Sequence, residues 1–247
     1  MSTDVDTDAD ALGVAMRDYQ RGGLRGECRY VDGAETVDAH VRENYFGDPE
    51  QWRGATRRLL DSLAGPVVDV GCGAGNHALY LQERVDDVVA FDVSPGAVEA
   101  ARERGVKDAV VADMFEMAFP RDRFRSAWMY GTQLGLAGSL AGVSSLLSKL
   151  GYVTDEAAVA VVDSYDPRHV DAAEMIGYRP DPRDGVARRA FHFEYDRDGE
   201  RLVGRTLSFV LFGPERLRDA TVGTPWSVGE VHERPTGGHY RAVLEKE

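Results

Sequence analysis

The sequence predicts an α/β fold, a doubly wound and mostly parallel sheet with helices on both faces. Three observations predict it. Strand-like and helix-like stretches alternate from residue 66 to residue 163, the pattern of crossover units. One strand-like run, Val67–Val70, passes directly into three glycines at alternate positions, Gly71, Gly73 and Gly75, and then into a helix face of Ala78, Leu79 and Leu81. Finally, Asp69, Asp92 and Asp113 fall at or just past the ends of strand-like runs, where open α/β sheets bind ligands.

The elements follow in order. Residues 1–10 are acidic and polar and read as a disordered tail, the opposite of a secretory leader. Ala11 to Tyr19 has helical spacing and is ended by Gly22-Gly23. The Asp32-Gly33-Ala34-Glu35 stretch has the acid-x-x-Glu spacing of a helix start and predicts a helix to about Phe46. Asp48-Pro49 starts another, with Asp48 as N-cap, running through Leu59, Leu60 and Leu63 to Gly65. Residues 11–64 are thus expected to form a helical cap. Tyr30, Tyr45, Phe46 and Trp52 on it either line a substrate pocket or pack as helix-face core.

Strands are predicted at 66–70, 88–92, 108–112, 124–130 and 157–163. Helices are predicted from Gly75, over 95–105 behind the Ser94-Pro95 cap, and over 139–150, ended by Gly151. Gly131 to Gly138 reads as a flexible stretch, and 168–186 as a loop or short helix. From residue 187 the pattern changes. Phe191, Phe193 and Tyr195 alternate with His192 and Glu194, a turn follows at Asp196–Gly199, and a further strand-like run spans Leu202–Phe212. This predicts an inserted antiparallel hairpin over 187–212. Pro214 to Val222 starts a helix, and a second hairpin flanks Pro235-Thr236-Gly237-Gly238. The absence of any linker-like segment predicts one domain over 1–247, with its core at 65–165.

The chain has 247 residues and a net charge of −13, from 42 acidic and 29 basic side chains. Only Lys107, Lys149 and Lys246 are lysines. Acid-rich, lysine-poor composition resembles that of proteins from salt-loving archaea, with a hydrated surface that needs screening. With no basic stripe, the charge argues against a nucleic-acid partner. Two cysteines, Cys28 and Cys72, form neither a disulfide framework nor a zinc pattern, and no metal site is expected. No apolar run is long enough to span a membrane, so a cytoplasmic location is expected; the oligomeric state is left open.

The spacing Asp69-x-Gly71-x-Gly73-x-Gly75 departs from a dinucleotide fingerprint, whose third glycine would fall at Asn76. It resembles motif I of the class I S-adenosylmethionine-dependent methyltransferases. Downstream stretches extend the resemblance. Val88–Val93 ends in Asp92, with Val93 beside it, 21 residues after Gly71; Asp108–Met114 carries Asp113 and Met114; Phe124–Gly131 ends at Tyr130. The resemblance implies a Rossmann-like seven-stranded sheet closed by an antiparallel C-terminal hairpin, with S-adenosylmethionine as cofactor. It implies that Asp69 helps position the methionine part above Gly71, Gly73 and Gly75. Asp92 would bind the ribose hydroxyls, Asp113 the adenine amino group and Met114 the ring, and Tyr130 would close over the cofactor toward the substrate.

The implied activity is methyl transfer to a small-molecule acceptor by in-line displacement. Such a reaction needs alignment above all, and a general base only if the nucleophile arrives protonated. Tyr45, His77, Tyr130, Tyr165 and His192 are the base candidates, none of them singled out. Met129-Tyr130-Gly131-Thr132 does not resemble the Asn/Asp-Pro-Pro-Tyr motif of enzymes that methylate base amino groups or glutamine amides. A protein or RNA acceptor stays open, and two other classes remain: a non-catalytic cofactor-binding protein, and an NAD-dependent oxidoreductase, against which the glycine spacing and terminal hairpin argue.

Overall fold

The computed structural model describes residues 9–169, 174–234 and 236–247. Its main sheet has seven strands: β3 (Val67–Val70), β4 (Val88–Asp92), β5 (Ala109–Val111), β6 (Phe124–Met129), β7 (Thr154–Tyr165), β12 (Trp226–Glu233) and β13 (His239–Lys246). The spatial order is β12-β13-β7-β6-β3-β4-β5. Strands β3 to β7 are parallel, whereas β13 runs antiparallel to β7 and β12 to β13. The strand order reverses at β3, which pairs with both β4 and β6, and this opens a crevice at its carboxyl end. Val67, Val68 and Val70 are fully buried, because parallel strands covered on both faces read as continuous apolar runs.

The helices are α1 (Ala11–Gln20), α2 (Val41–Tyr45), α3 (Gly54–Asp61), α4 (Asn76–Leu81), α5 (Pro95–Glu103), α6 (Leu140–Val153) and α7 (Pro214–Thr221). Leu146, Leu147 and Leu150 of α6 and Leu217 of α7 pack on one side of the sheet with Phe124 and Phe212. Leu59 and Leu60 of α3 and Ala78 and Leu81 of α4 pack on the other, with Trp128. Helix α1 lies against α5 so closely that a Cβ on Gly96 would meet the Gly13 carbonyl carbon at 2.4 Å.

A second, antiparallel sheet of six strands is built on β9 (Val186–Arg197), which pairs with β1 (Cys28–Asp32), β8 (Tyr178–Pro180), β10 (Glu200–Val203) and β11 (Leu207–Phe212); β2 (Glu35–Asp38) pairs with β1. The hairpin expected at 187–212 is therefore present and larger than the local pattern implied. The helix expected from Asp32 to Phe46 is replaced by the β1–β2 hairpin and the short α2. Asp32 pairs with Glu35 across a two-residue turn in which Gly33 has φ +61°, the conformation a tight hairpin asks of glycine. The cap expected over 11–64 is thus helices plus a hairpin.

Smaller departures have local causes. Asp48 and Pro49 do begin a helical turn, with the Glu50 N–H capped by Asp48, but it is a 3₁₀ turn of three residues and α3 starts separately at Gly54. Residues 133–137, expected to be flexible, form a 3₁₀ helix. Helix α6 continues through Gly151 to Val153; that glycine makes room for Pro225, whose Cγ a Cβ would meet at 2.4 Å. Within the tail expected at 1–10, residues 1–8 lie outside the described residues, whereas Asp10 is the N-cap of α1. Residues 170–173 of the 168–186 loop and Pro235 of the terminal turn also lie outside the described residues. Among the described residues no helix is long and apolar enough to cross a membrane.

Candidate cofactor and acceptor site

The crevice at β3 is shaped by the glycine turn. Gly71, Gly73 and Gly75 have φ of +71°, +53° and +77°, a region costly for residues with a Cβ. Space is short as well. A Cβ on Gly75 would meet Val106 Cγ2 at 2.5 Å, and one on Gly71 would meet the Gln133 side chain at 2.5 Å. The turn is tied to the neighbouring strand: Gly71 and Cys72 donate their N–H groups to the Phe91 carbonyl at 2.9 and 3.0 Å. Gly73 donates to one oxygen of Asp92 at 2.9 Å, and Ser94 donates to the other at 2.9 Å. Burial raises the Asp92 pKa, against the lowering effect of these two donors. Each carboxylate oxygen can accept a second hydrogen bond.

A cavity of about 310 Å³ opens over this turn. Its walls bring together five of the sequence-predicted residues, Gly71, Asp92, Val93, Asp113 and Met114. Met114 is buried and Val93 exposed. Asp113 is exposed, and one of its oxygens caps the next turn by accepting the Phe115 N–H at 2.8 Å. Phe91 and Ala112, on predicted strands, also line it, and sequence reasoning missed Phe115, Gln133, Leu136 and Arg205–Ser208. Phe115 follows a predicted residue directly. Arg205–Ser208 arrive from the second sheet, with no local signal for them.

Gly73, Gly75, Asp69 and Tyr130 do not line this cavity. Asp69 is 2% exposed and its Oδ2 has no hydrogen-bond partner. Burial, and then the charge of Asp92, push its pKa up to about 7. Tyr130 lies on a separate polar face beyond the end of β6. It stacks on Trp128 (5.7 Å between centroids, 17°) and sits edge-on to His77 at 5.1 Å. Burial and the charge of Arg241 push the His77 pKa down to about 3, so the ring is a neutral, weak base. Tyr165 meets the His239 ring at 5.0 Å, and burial raises its pKa. Tyr45 packs beside Gly73, and burial holds its phenol well above its ordinary pKa.

Of the five base candidates, His192 is not brought to this group; it pairs with Glu194 at 3.4 Å on β9. A dyad that sequence reasoning missed stands in its place. His239 and Asp163, 3% and 2% exposed, share a hydrogen bond of 2.8 Å, and Asp163 Oδ1 accepts the Thr132 N–H at 2.8 Å. The His239 Nδ1 has no partner. Among the described residues no cluster of three or more His, Cys, Asp or Glu is placed to hold a metal ion.

Residues 67–151 match the model of a methyltransferase domain. Over 59 residues the chain is 50% identical to a trans-aconitate 2-methyltransferase of Mycobacterium ulcerans, covering 23% of this chain and 22% of that protein. Over 88 residues it is 34% identical to the magnesium-protoporphyrin O-methyltransferase of Rhodobacter capsulatus, covering 35% and 39%. The chain thus spans well under half the length of these curated relatives. A crystal structure of a SAM-dependent methyltransferase from Bacteroides fragilis, in complex with S-adenosyl-L-homocysteine, superposes with a TM-score of 0.78 at 22% identity, covering 98% of this chain and 97% of that one. CalS10, an amino pentose methyltransferase from Micromonospora echinaspora, superposes with a TM-score of 0.59 at 17% identity, covering 86% and 99%. Residues 67–151 are therefore similar to a methyltransferase domain, and the chain has the Rossmann-like fold of the methyltransferases.

Proposed function

We propose that this protein is an S-adenosylmethionine-dependent methyltransferase acting on a small-molecule acceptor. The observation that carries the reading is the cavity at the carboxyl ends of β3, β4 and β5, which gathers Gly71, Asp92, Val93, Asp113 and Met114 in one wall. The donor set suits the cofactor. Asp92 retains acceptor capacity for two ribose hydroxyls, Met114 offers an apolar surface to a purine, and Asp113 an acceptor for its amino group. Gly73 and Gly75 act through the shape of the turn. Asp69, buried without a counter-charge, suits the positive charge of the cofactor's methionine end. When bound, the cofactor supplies an activated methyl group on sulfur.

The chain's own residues then align and exclude water. Gln133 lies across Gly71, and Arg205–Ser208 wall the far side. Tyr130 faces the acceptor side, where the His239–Asp163 dyad holds an unpartnered ring nitrogen able to take a proton. The protein acts as one domain in the cytoplasm of a salt-adapted cell, on a molecule small enough to enter between the two sheets rather than on a nucleic acid.

Calorimetric titration with S-adenosylmethionine, its demethylated product and NAD, in low salt and in molar potassium chloride, tests this reading. Binding of the first two and not of NAD is expected. NAD binding alone, or no binding by folded protein at either salt, sinks it.

A further inference from the structure

Among the described residues, seven side chains carry a buried polar atom with no hydrogen-bond partner, and four of these, Asp69, Trp128, His239 and Arg241, lie on strands β3, β6 and β13 of the main sheet. Register places them on one face of the main sheet. Asp69 is opposite Trp128, Trp128 opposite Val161, and Val161 opposite Val243, so Arg241 and His239, two and four residues along β13, project the same way. Buried polar groups are rarely left unpaired in native proteins. Two of the orphans, the Trp128 indole N–H and the Arg241 Nε–H, can only donate.

Charge points the same way. Arg241 is 3% exposed and pairs with no carboxylate among the described residues. Its one side-chain hydrogen bond is a long 3.4 Å contact from Nη2 to the Tyr130 hydroxyl, and its guanidinium lies 5.3 Å from that ring's centroid. Asp163, its cross-strand neighbour, is already taken by Thr132 and His239. On the facing sheet Arg189 is half-buried, lies 4.4 Å over Phe191 and 5.6 Å over Tyr30, and gives its Nε–H to the Ile176 carbonyl at 3.0 Å. It too has no carboxylate partner among the described residues, and its charge is felt at Tyr165, beside His239. Arg234, whose Nε is buried and unpartnered, acts on the same phenol more strongly than Arg189 does, so guanidinium charge on the acceptor side exceeds that of the one carboxylate there, Asp163.

We propose that the acceptor is a carboxylate, its oxygens bound by the Trp128 and Arg241 donors with the charge of Arg189 behind them. The proposal rests on the methyltransferase reading, which sets Asp69 aside for the cofactor's positive charge. Two unpartnered donors suit a planar carboxylate better than a phosphate, which calls for more.

Ligand-detected NMR tests it with matched probes, benzoate against benzamide and succinate against succinamide, on protein with and without S-adenosylhomocysteine. Each acid is expected to bind about tenfold or more tightly than its amide. That preference is expected to vanish in Arg241→Gln and shrink in Arg189→Gln, while S-adenosylhomocysteine binding stays intact. Arg241→Lys, which keeps the charge, guards against a folding defect in the first variant. Equal binding of acids and amides, or no acid binding to folded protein at millimolar concentration, overturns the proposal. Failure of S-adenosylhomocysteine to bind sinks the methyltransferase reading by itself, and acid preference in its absence would leave the carboxylate site standing.

Discussion

Gly73 donates its backbone N–H to the Asp92 carboxylate at 2.9 Å, joining the turn after β3 to the end of β4. The acid that the sequence marks for ribose is therefore also part of the frame that holds the glycine turn, together with the Ser94 N–H on its other oxygen.

Asp92→Ala is accordingly expected to abolish measurable S-adenosylmethionine binding and also to cost about 2–3 kcal/mol of stability, because two N–H groups lose their acceptor. Reading the sequence alone, the stability cost would be slight. Calorimetry and urea unfolding, run on the same preparation, separate the two effects; unchanged cofactor affinity would refute the assignment.

Asp69 is expected to make cofactor binding pH-dependent. Its folded pKa is raised to about 7, so it is largely protonated below that pH and charged above it. Affinity for the sulfonium-bearing cofactor should rise several-fold from about pH 6 to pH 8, and Asp69→Asn should flatten the profile. The sign for stability is the reverse. The Asp69 contribution is fully present below the ordinary carboxyl pKa and is lost as pH rises through about 7, so Asp69→Asn should be more stable than the parent at pH 8.

His77 acts in the other direction. Its pKa is depressed to about 3, so the folded state takes up no proton there until strongly acid pH. Stability from this residue is present above about pH 6.5 and is lost as pH falls toward 3, on the order of 5 kcal/mol at full extent. His77→Gln should unfold at a lower pH than the parent in an acid titration followed by circular dichroism.

Asp10 straps α1 to the cofactor side. Its carboxylate accepts from Ser94 Oγ at 2.8 Å, from the Gly96 N–H at 2.8 Å and from the Gly13 N–H at 3.2 Å. Asp10→Ala should cost about 2 kcal/mol and weaken cofactor binding through Ser94, which also donates to Asp92. Hydrogen exchange should show α1 amides opening first; full protection of α1 in the variant would contradict the strap.

The main sheet was legible because each parallel strand is a continuous apolar run with its own turn signal, as in Val67–Val70 followed by Gly71. The five residues that share the cavity wall were legible for the same reason, each sitting at a strand end. The second sheet was not, since β1 pairs with β9 across a gap visible in no local window: Cys28 lies opposite Tyr195. Asp32 and Glu35 mimicked a helix start because a two-residue hairpin happens to separate paired acids by the capping interval. The His239–Asp163 dyad was missed because it joins residues 76 positions apart, and neither alone differs from an ordinary strand residue.

That long-range pairing has a consequence for how the protein comes into being. Strand β1 lies between β2, its close neighbour in sequence, and β9, which begins at Val186. During synthesis the first five parallel strands are all in hand by Tyr165, yet the wall supplied by Arg205–Ser208 is still unmade. The nascent chain therefore holds an unroofed crevice, and the outer edge of the β1–β2 hairpin stays unpaired until β9 has been made, so the cavity wall is finished only after the strands beneath it.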